Sequence, residues 1–360
     1  MGTLLTLPGT AQWIRLIVFS CLALIIVGCS LPPSFAAPEP SPTQLLTYHR
    51  VASNAPPEAP KPHYYPQKPI TILVGSSRGG DPDIAARLLA AQMEKIIASP
   101  VIVSNRPEND GLEVYTQVKS AASDGYILGL AASPQLQAAA LDAGGKAPYS
   151  PADFLPLGSQ FRDPVIIFVR NLSPFKSVDE FITMVRSQPD KVMVSIPQKS
   201  MAEKLAAEEL RRNAGLRLRL GIYTDPANAL LATLSGQSEA AFCSLSSALP
   251  MVKANQGRFL ATMSFERLST QPEVPTLREK GVDIAAQSVF GYVAAKKTAP
   301  DIADYLCWVL YQAISDPQHQ ARMQDAGMSV DYLNRQQFST LLTSEGERIK
   351  KLIQSPLSWR

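Results

Sequence analysis

Short apolar runs alternate with longer amphipathic stretches from residue 70 to residue 353. The first run, Ile70–Val74, is apolar and rich in β-branched residues, which is typical of a buried strand. A helical pattern follows it and begins at Asp81-Pro82, so we predict Asp81 as the N-cap and Pro82 as the first helical residue. The same reasoning predicts further strands over residues 101–104, 126–131, 165–169, 192–196, 216–223, 240–243, 259–264 and 289–295.

Helix starts are marked between several of these strands. Ser177 with Glu180, and Ser200 with Glu203, have the spacing of a capping box, and Asp225-Pro226 repeats the pattern of Asp81-Pro82. Residues 301–353 are helical in pattern almost throughout. Alternating strands and helices predict an α/β fold with mainly parallel central sheets and helices on their faces.

The amino-terminal part has a different pattern. Residues 16–27 form an uncharged apolar run, which as a helix covers about 18 Å of the roughly 30 Å hydrocarbon core of a bilayer. This length fits the apolar region of a secretory signal, and Gly28-Cys29 after it resembles the lipobox of bacterial lipoproteins. The resemblance implies a signal peptide over residues 1–28 and a lipidated Cys29 that anchors the protein to a membrane on the periplasmic side of the bacterial envelope. An uncleaved anchor, or an ordinary signal with an incidental cysteine, remains the alternative.

A proline-rich segment follows the predicted lipidation site. Nine prolines lie between Ser30 and Tyr65. Because proline fixes φ and lacks an N–H donor, this composition favours extended polyproline II over packed structure. We therefore predict that residues 29–65 are a tether that holds a globular body away from the membrane.

Composition narrows the chemistry. The 360 residues contain 34 Lys+Arg and 31 Asp+Glu, so the net charge of +3 gives no electropositive footprint for nucleic acid. Four cysteines and three histidines argue against a disulfide-rich domain and against a multi-histidine metal site. No Walker loop, CxxC pair or HExxH motif occurs, so we predict no cofactor and no metal. We expect Cys243 and Cys307 to be buried thiols.

Several local motifs occur in one collinear order. They are Tyr65-Pro66-x-Lys68-Pro69-Ile70, Gly79-Gly80-x-x-Asp83-x-x-Ala86-Arg87, Asn105-Arg106-Pro107, Asp124-Gly125-Tyr126, Pro148-Tyr149, Asp153-Phe154, Ser247-Ala248-Leu249-Pro250 and Val274-Pro275-Thr276. Together they resemble the substrate-binding receptors of tripartite tricarboxylate transporters, the Bug/TctC-like periplasmic binding proteins, over residues 64–353. The resemblance implies a type II periplasmic-binding-protein fold with a carboxylate ligand in the cleft between two lobes. Lobe one would comprise residues 66–163 plus 290–360, and lobe two residues 164–289.

The resemblance implies a receptor that captures a small organic anion and presents it to membrane permease subunits. Loop amides that precede a helix N-terminus can hold a carboxylate, and glycines allow close backbone approach, although a Gly-Gly pair also occurs in ordinary turns. In this reading Asp83 organises the loop. The residues expected to grip one carboxylate are Ser76, Ser77, Arg78, Gly79 and Gly80. The far wall of the cleft would be formed by Ser133, Gln198, Ser200, Tyr223 and Ser244.

The chain departs from the family pattern at positions that matter for the ligand. Asp81 replaces a loop glycine, where its carboxylate would either cap the helix or repel an anion. Cys243 replaces an aspartate, and Lys204 lies at a histidine position. Arg78, Lys199 and Lys204 are either new cationic partners of an anion or solvated charges. An orphan receptor, or an envelope sensor or interaction protein with altered or lost ligand binding, is therefore the alternative.

An enzyme is the remaining alternative. Gly75-Ser76-Ser77-Arg78-Gly79 satisfies the G-x-S-x-G pattern of a hydrolase nucleophile elbow. Such a Ser77 requires a histidine base, and the only histidine downstream is His319, which we expect to be exposed at a helix start. We therefore predict a binding protein without catalytic residues.

Overall fold

The computed structural model describes residues 55–142 and 147–353. The predicted signal peptide, the lipidation site Cys29 and the tether up to residue 54 lie outside the described residues. Within the described ranges, no helix has both the length and the hydropathy needed to cross a bilayer.

The first elements form a parallel unit. Strand β1 lies between β2 and β3 and pairs with both in parallel. Its alternate residues enter different cores, since Ile72 and Val74 pack in one apolar cluster and Leu73 packs in another. The elements are β1 (Ile70–Val74), α1 (Asp81–Ile97), β2 (Val101–Asn105), α2 (Glu113–Ser120), β3 (Ile127–Ser133) and α3 (Gln135–Asp142).

A strand of 17 residues, β4 (Phe154–Arg170), links two halves of the sheet. Up to Pro164 it pairs with β9 (Gln287–Ala295), and from Val165 it pairs with β7 and β8, in each case antiparallel. Between β4 and β9 the chain forms α4 (Val178–Ser187), β5 (Met193–Pro197), α5 (Met201–Asn213), β6 (Arg219–Tyr223), α6 (Pro226–Ser235), β7 (Ala240–Ser244), α7 (Leu245–Lys253) and β8 (Gly257–Thr262).

After β9 the chain returns to the first half through α8 (Pro300–Ser315), α9 (Pro317–Asp325), β10 (Ser329–Val330) and α10 (Arg335–Ile353). The strand order is β2-β1-β3-β9-β4-β7-β5-β6, with β8 and β10 also paired to β4. We call the half around β1–β3, β9 and the start of β4 lobe one, and the half around β5–β8 and the end of β4 lobe two. The predicted two-lobe α/β fold is confirmed. The sheet is mixed rather than mainly parallel, because the linking strands β4 and β9 run antiparallel to their neighbours.

Each lobe has its own core, and a small cluster joins them. Lobe one packs α1 and α8 on the sheet, and lobe two packs α4 and α5 on its own strands. Beside the linking strands, Leu205 of α5 packs with Ala138 of α3 and with Ile349 of α10. An ion pair between Glu209 and Arg348 spans the same contact. The two lobes therefore touch directly as well as through β4 and β9. The predicted boundaries between them stay predictions.

The last part of the predicted tether belongs to lobe one. The side chain of Tyr65 is buried in the lobe-one core, and its hydroxyl donates to the carbonyl oxygen of Gly125 at 2.7 Å. Lys61 Nζ donates to the carbonyl oxygen of Ile97 at 2.8 Å. The folded body thus begins before residue 66, because the aromatic side chain at the end of the proline-rich segment packs into the core.

The predicted helix starts are right at two positions and wrong in detail at two others. Ser177 accepts from the amide of Glu180, and Asp225 accepts from the amide of Asn228. At α1, however, the N-cap is Gly80, and Asp81 lies in the first turn. At α5 the hydroxyl of Ser200 contacts the carboxylate of Glu203 instead of capping an amide.

The expectation that Cys243 and Cys307 are buried thiols is confirmed. Cys243 lies on β7 in lobe two and Cys307 on α8 in lobe one. Burial raises the pKa of both thiols, so neither is a reactive thiolate near neutral pH.

The expected exposure of His319 is wrong. Its amide donates to the N-capping carboxylate of Asp316 at 2.9 Å, as a helix start requires, but its ring is only 2% exposed. Nε2 lies 3.4 Å from Nε2 of Gln160 in the lobe-one interior. Burial lowers the pKa of His319 to about 4, since the charged imidazolium loses its hydration there.

This burial predicts that His319→Gln will reduce the acid sensitivity of the fold. The unfolded chain binds the histidine proton with a pKa of 6.5 and the folded chain with one of about 4, so stability is complete above pH 6.5 and falls with acidification. From pH 7.5 to 4.5 the wild type should lose about 2.5 kcal/mol of unfolding free energy through this residue. Urea unfolding at both pH values measures the loss. His63→Gln is the matched control, because His63 is exposed. Equal pH dependence in wild type and His319→Gln would contradict the prediction.

Candidate functional site

A cavity of about 130 Å³ lies where the chain leaves β1 and turns into α1. Since β1 and β3 are parallel neighbours, their carboxyl ends meet at the same edge of the sheet and supply adjacent parts of the wall. The lining residues all come from lobe one: Gly75, Ser76, Pro82, Gly111, Tyr115, Leu130, Ala132, Gln135 and Phe290.

Two glycine backbones touch beneath this cavity. A Cβ on Gly111 would lie 2.5 Å from the carbonyl oxygen of Gly75, and a Cβ on Gly75 would lie 2.9 Å from Cα of Gly111. Gly111 also has φ +81°, a conformation that L side chains rarely adopt. The loop after β2 therefore reaches the loop after β1 only because both positions lack a side chain.

Asp83 holds the loop after β1 in place. The carboxylate is buried and accepts from the Gly79 amide at 2.9 Å, from Arg87 Nε at 3.1 Å and from Asn105 Nδ2 at 2.9 Å. Asn105 Nδ2 also donates to the carbonyl oxygen of Ser76 at 2.9 Å. Burial alone would raise the pKa of Asp83, but the hydrogen bonds from Arg87, Gly79 and Asn105 outweigh it and hold the pKa below its usual value. These hydrogen bonds tie the loop after β1 to α1 and to the end of β2, and a role of Asp83 in ligand binding stays a prediction.

Two buried polar atoms of the lining residues, Ser76 Oγ and Gln135 Oε1, have no partner among the described residues. Ser133 Oγ, next to the lining residue Ala132 in the chain, is also buried without a partner but does not line the cavity. A buried polar atom without a hydrogen bond costs about 1–3 kcal/mol, so these atoms offer hydrogen-bonding positions to a water molecule or a ligand in the cavity. The hydroxyl oxygen of Tyr115 accepts from the Ala132 amide at 3.2 Å and can donate its own proton. Burial raises the pKa of Tyr115 to about 12, which keeps that proton on the oxygen.

The structure brings only part of the predicted site together. Ser76 lines the cavity, and Ser133 is buried beside the lining residues Ala132 and Gln135 in the chain. Neither Ser133 nor Asp83 lines it. The other predicted residues that do not line it are Ser77, Arg78, Gly79, Gly80, Gln198, Ser200, Tyr223 and Ser244. Of these, the first three are exposed on the loop surface, and Gly80 caps α1. The last four belong to lobe two.

The predicted site residues of lobe two form hydrogen bonds within their own lobe. The amide of Gln198 donates to the carbonyl oxygen of Tyr223 at 2.6 Å, and Ser244 caps α7. Ser200 is held by Glu203. They lie at the carboxyl ends of β5, β6 and β7, where the prediction put them, but none touches the lobe-one cavity.

Of the nine lining residues, only Ser76 was predicted as a site residue, and the missed ones include the polar Gln135 and the aromatic Tyr115 and Phe290. Gln135 could have been predicted, because Pro134-Gln135 comes directly after β3, as the Gly-Ser loop comes directly after β1. Tyr115 and Phe290 could not have been predicted in this way, since an aromatic residue in a helix or strand is typical of the hydrophobic core.

One contact crosses between the lobes at this edge of the sheet. The hydroxyl of Ser246, in the first turn of α7, donates to Asp81 at 2.7 Å and also contacts the carboxylate of Asp163. Asp81 therefore neither caps α1 nor points freely at a ligand, as the sequence suggested it would; it faces lobe two.

The hydrolase interpretation lacks its general base. Ser77 is exposed on the loop, whereas His319 is enclosed by the lobe-one core and neighbours Gln160. In the ranges 55–142 and 147–353, no three His, Cys, Asp or Glu side chains are grouped as metal ligands.

Comparison with known proteins identifies the family of the chain. Residues 85–356 match the family described as "Tripartite tricarboxylate transporter family receptor". A protein of Cupriavidus necator, "UPF0065 protein in gbd 5'region", is 28% identical over 305 residues and covers 81% of this chain and 88% of its own.

Solved structures share the fold. A TctC solute-binding protein from Polaromonas superposes with a TM-score of 0.71 at 24% identity and covers 81% of this chain and 99% of its own. MatC from Rhodopseudomonas palustris, solved with bound malate, has a TM-score of 0.66 at 25% identity and covers 80% of this chain and 100% of its own. Because the family match spans most of the sequence, the chain belongs to the tripartite tricarboxylate transporter receptor family and is a solute-binding receptor, not an enzyme.

Proposed function

We propose that this protein is a periplasmic receptor that holds one carboxylate group of a small organic acid in the cavity after β1. The observation that carries the proposal is the buried, unpartnered hydroxyl of Ser76 in the wall of that cavity. The Ser76 hydroxyl and the Tyr115 hydroxyl can each donate to a carboxylate oxygen. No charged side chain lines the cavity, so neutral donors would carry the recognition.

The shape of the cavity supports a short ligand. A volume of about 130 Å³ holds a carboxylate and a few carbon atoms, and Leu130, Ala132 and Phe290 offer apolar contact to such a chain. The relative MatC binds malate, and a second structural relative from R. palustris at 22% identity was solved with adipate. Malate and adipate are therefore the first probes.

The proposal also includes the partners of the receptor and its attachment to a membrane. As a member of its family, the receptor would deliver its ligand to membrane permease subunits of a tripartite tricarboxylate transporter. Lipidation at Cys29 would hold the protein at a membrane of the cell envelope, with the proline-rich segment as spacer. Mass spectrometry of the protein from a bacterial membrane fraction tests the lipidation, since an acylated Cys29 as the mature N-terminus is the expected product.

Thermal unfolding of the full chain with malate, adipate and their uncharged diamides tests the ligand class. A dicarboxylate at 100-fold excess over its dissociation constant should stabilise the fold by about 2.7 kcal/mol, and the matching diamide should not. Ser76→Ala should weaken binding about tenfold by removing one hydrogen bond to the ligand. Ser77→Ala is the matched control, because Ser77 is exposed on the same loop. If no acid changes the melting temperature, the orphan-receptor alternative replaces this proposal.

A further inference from the structure

We propose that Asp81, Ser246 and Asp163 form a latch between the lobes that takes up one proton when the lobes close. Asp81 belongs to α1 of lobe one, Ser246 to α7 of lobe two, and Asp163 to the linking strand β4. The latch concerns the movement of the lobes and does not depend on which ligand the receptor binds.

The need for an extra proton follows from the number of hydrogens available to the Ser246 hydroxyl and the two carboxyl groups. Ser246 Oγ carries one hydrogen, yet it lies against a carboxylate oxygen of Asp81, at 2.7 Å, and against one of Asp163. A hydroxyl can donate to only one of them. The other oxygen–oxygen contact is attractive only if that carboxyl group brings a proton and donates it to Ser246. The closed bridge therefore holds one proton more than two ionised aspartates and a serine.

The surroundings of Asp163 favour that extra proton. Asp163 is buried, and the charged groups that act on it are acidic: Asp81 from α1 and Glu203 from α5. The thiol of Cys243 on β7 lies near the same carboxyls, and Ser288 faces Asp163 from β9. Lys199 and Lys204 flank Glu203 in sequence, and each has an interaction of its own. Burial first, and then these like charges, raise the pKa of Asp163 to about 7, against 3.8 for an ordinary aspartate.

The backbone amide of Ser246 also binds Asp163. It donates to Asp163 Oδ1 at 3.2 Å, so α7 is bonded to the linking strand β4 by a hydrogen bond that does not involve Asp81. Opening the lobes would remove Asp81 and admit water, leaving Asp163 ionised and bonded to α7. Closure is thus coupled to proton uptake, and opening to proton release, within the range around pH 7.

Another titratable contact between the lobes would respond to pH in the direction opposite to that of the latch. Glu209 on α5 and Arg348 on α10 form an ion pair that is lost when Glu209 is protonated. Acid would therefore weaken this contact and open the lobes, whereas acid strengthens the latch. The direction of the response to pH identifies which contact controls closure.

Distance measurement by double electron–electron resonance tests the latch on the full chain. Spin labels are attached to ketone-bearing amino acids in place of Leu172 in lobe two and Gln312 in lobe one, which are both exposed, so that native cysteines are not labelled. In the wild type we expect the ratio of closed to open molecules to fall about tenfold or more from pH 5.5 to pH 8.5, because one proton is released above the pKa of the closed form.

Two substitutions should abolish this response by independent routes. In Asp163→Asn the amide donates to Ser246 as a protonated carboxyl would, and in Asp81→Asn the amide does so from the other lobe. Both variants should stay closed at both pH values. Ser187→Ala should keep the wild-type response, since Ser187 is exposed at the end of α4 and binds the carbonyl oxygen of Met184 within lobe two, and so should Glu209→Gln. A wild-type distance distribution that is the same at both pH values, or a wild-type pH response in Asp163→Asn and Asp81→Asn, would overturn the proposal.

Discussion

Replacing Gly111 with alanine should lower the free energy of unfolding by about 3 kcal/mol and abolish ligand-induced stabilisation. Two costs add at this position. A residue with a side chain is strained at φ +81°, and its Cβ would lie 2.5 Å from the carbonyl oxygen of Gly75, which is backbone and cannot rotate away. The loop after β2 must then move off the loop after β1, and the cavity loses part of its wall.

Gly281→Ala is a control that separates the backbone strain from the steric clash. It has φ +76°, and a Cβ there would meet nothing within 4 Å, so Gly281→Ala has the strain without the clash. We expect a loss of about 1 kcal/mol for that control. Chemical denaturation measures both variants, and thermal shift with malate measures the site. If Gly111→Ala costs no more than Gly281→Ala, the close contact of the two loops is not what holds the cavity together.

The fold was predictable because it depends on local patterns. Apolar runs such as Ile70–Val74 and cap residues such as Asp225 place strands and helices from a few neighbouring residues. The first part of β4, residues 154–164, was missed, since it contains polar and proline residues that β9 and β10 satisfy from distant parts of the chain. That pairing is also the reason why the sheet is mixed.

The site was predictable only where one loop builds it. Ser76 and Asp83 lie within ten residues of β1, and the topology places Ser76 in the cavity wall and Asp83 beneath the same loop, where it binds the Gly79 amide. Tyr115 and Phe290 reach the same cavity from α2 and β9, and nothing in their local sequence separates them from core aromatics. The contact made by Asp81 was even harder to predict from local sequence, because its partner Ser246 is 165 residues away in the chain.

Asp83→Ala should destabilise the protein by about 3 kcal/mol and loosen the loop that carries Ser76. The substitution leaves the Gly79 amide and the Nε of Arg87 without their acceptor and removes one of the two acceptors of Asn105 Nδ2. Arg87 is partly exposed and regains water, which keeps the loss below that of a fully buried ion pair. Chemical denaturation measures the loss, and hydrogen–deuterium exchange should show that exchange of the Gly79 amide accelerates by more than the global loss of stability accounts for.

A double-substitution cycle with Arg87→Ala separates the ion pair from the rest of the network. If Asp83 acts mainly through Arg87, the double variant should cost little more than either single one, with a coupling of about 2 kcal/mol. We expect a smaller coupling, about 1 kcal/mol, because Asp83 also binds Gly79 and Asn105, and those bonds are lost in Asp83→Ala whether or not Arg87 is present. Asp124→Asn is the control, since Asp124 pairs with Lys68 at the surface and should cost well under 1 kcal/mol. An Asp83→Ala variant as stable as this control would show that the loop holds its shape through Gly75 and Gly111 alone, without its buried carboxylate.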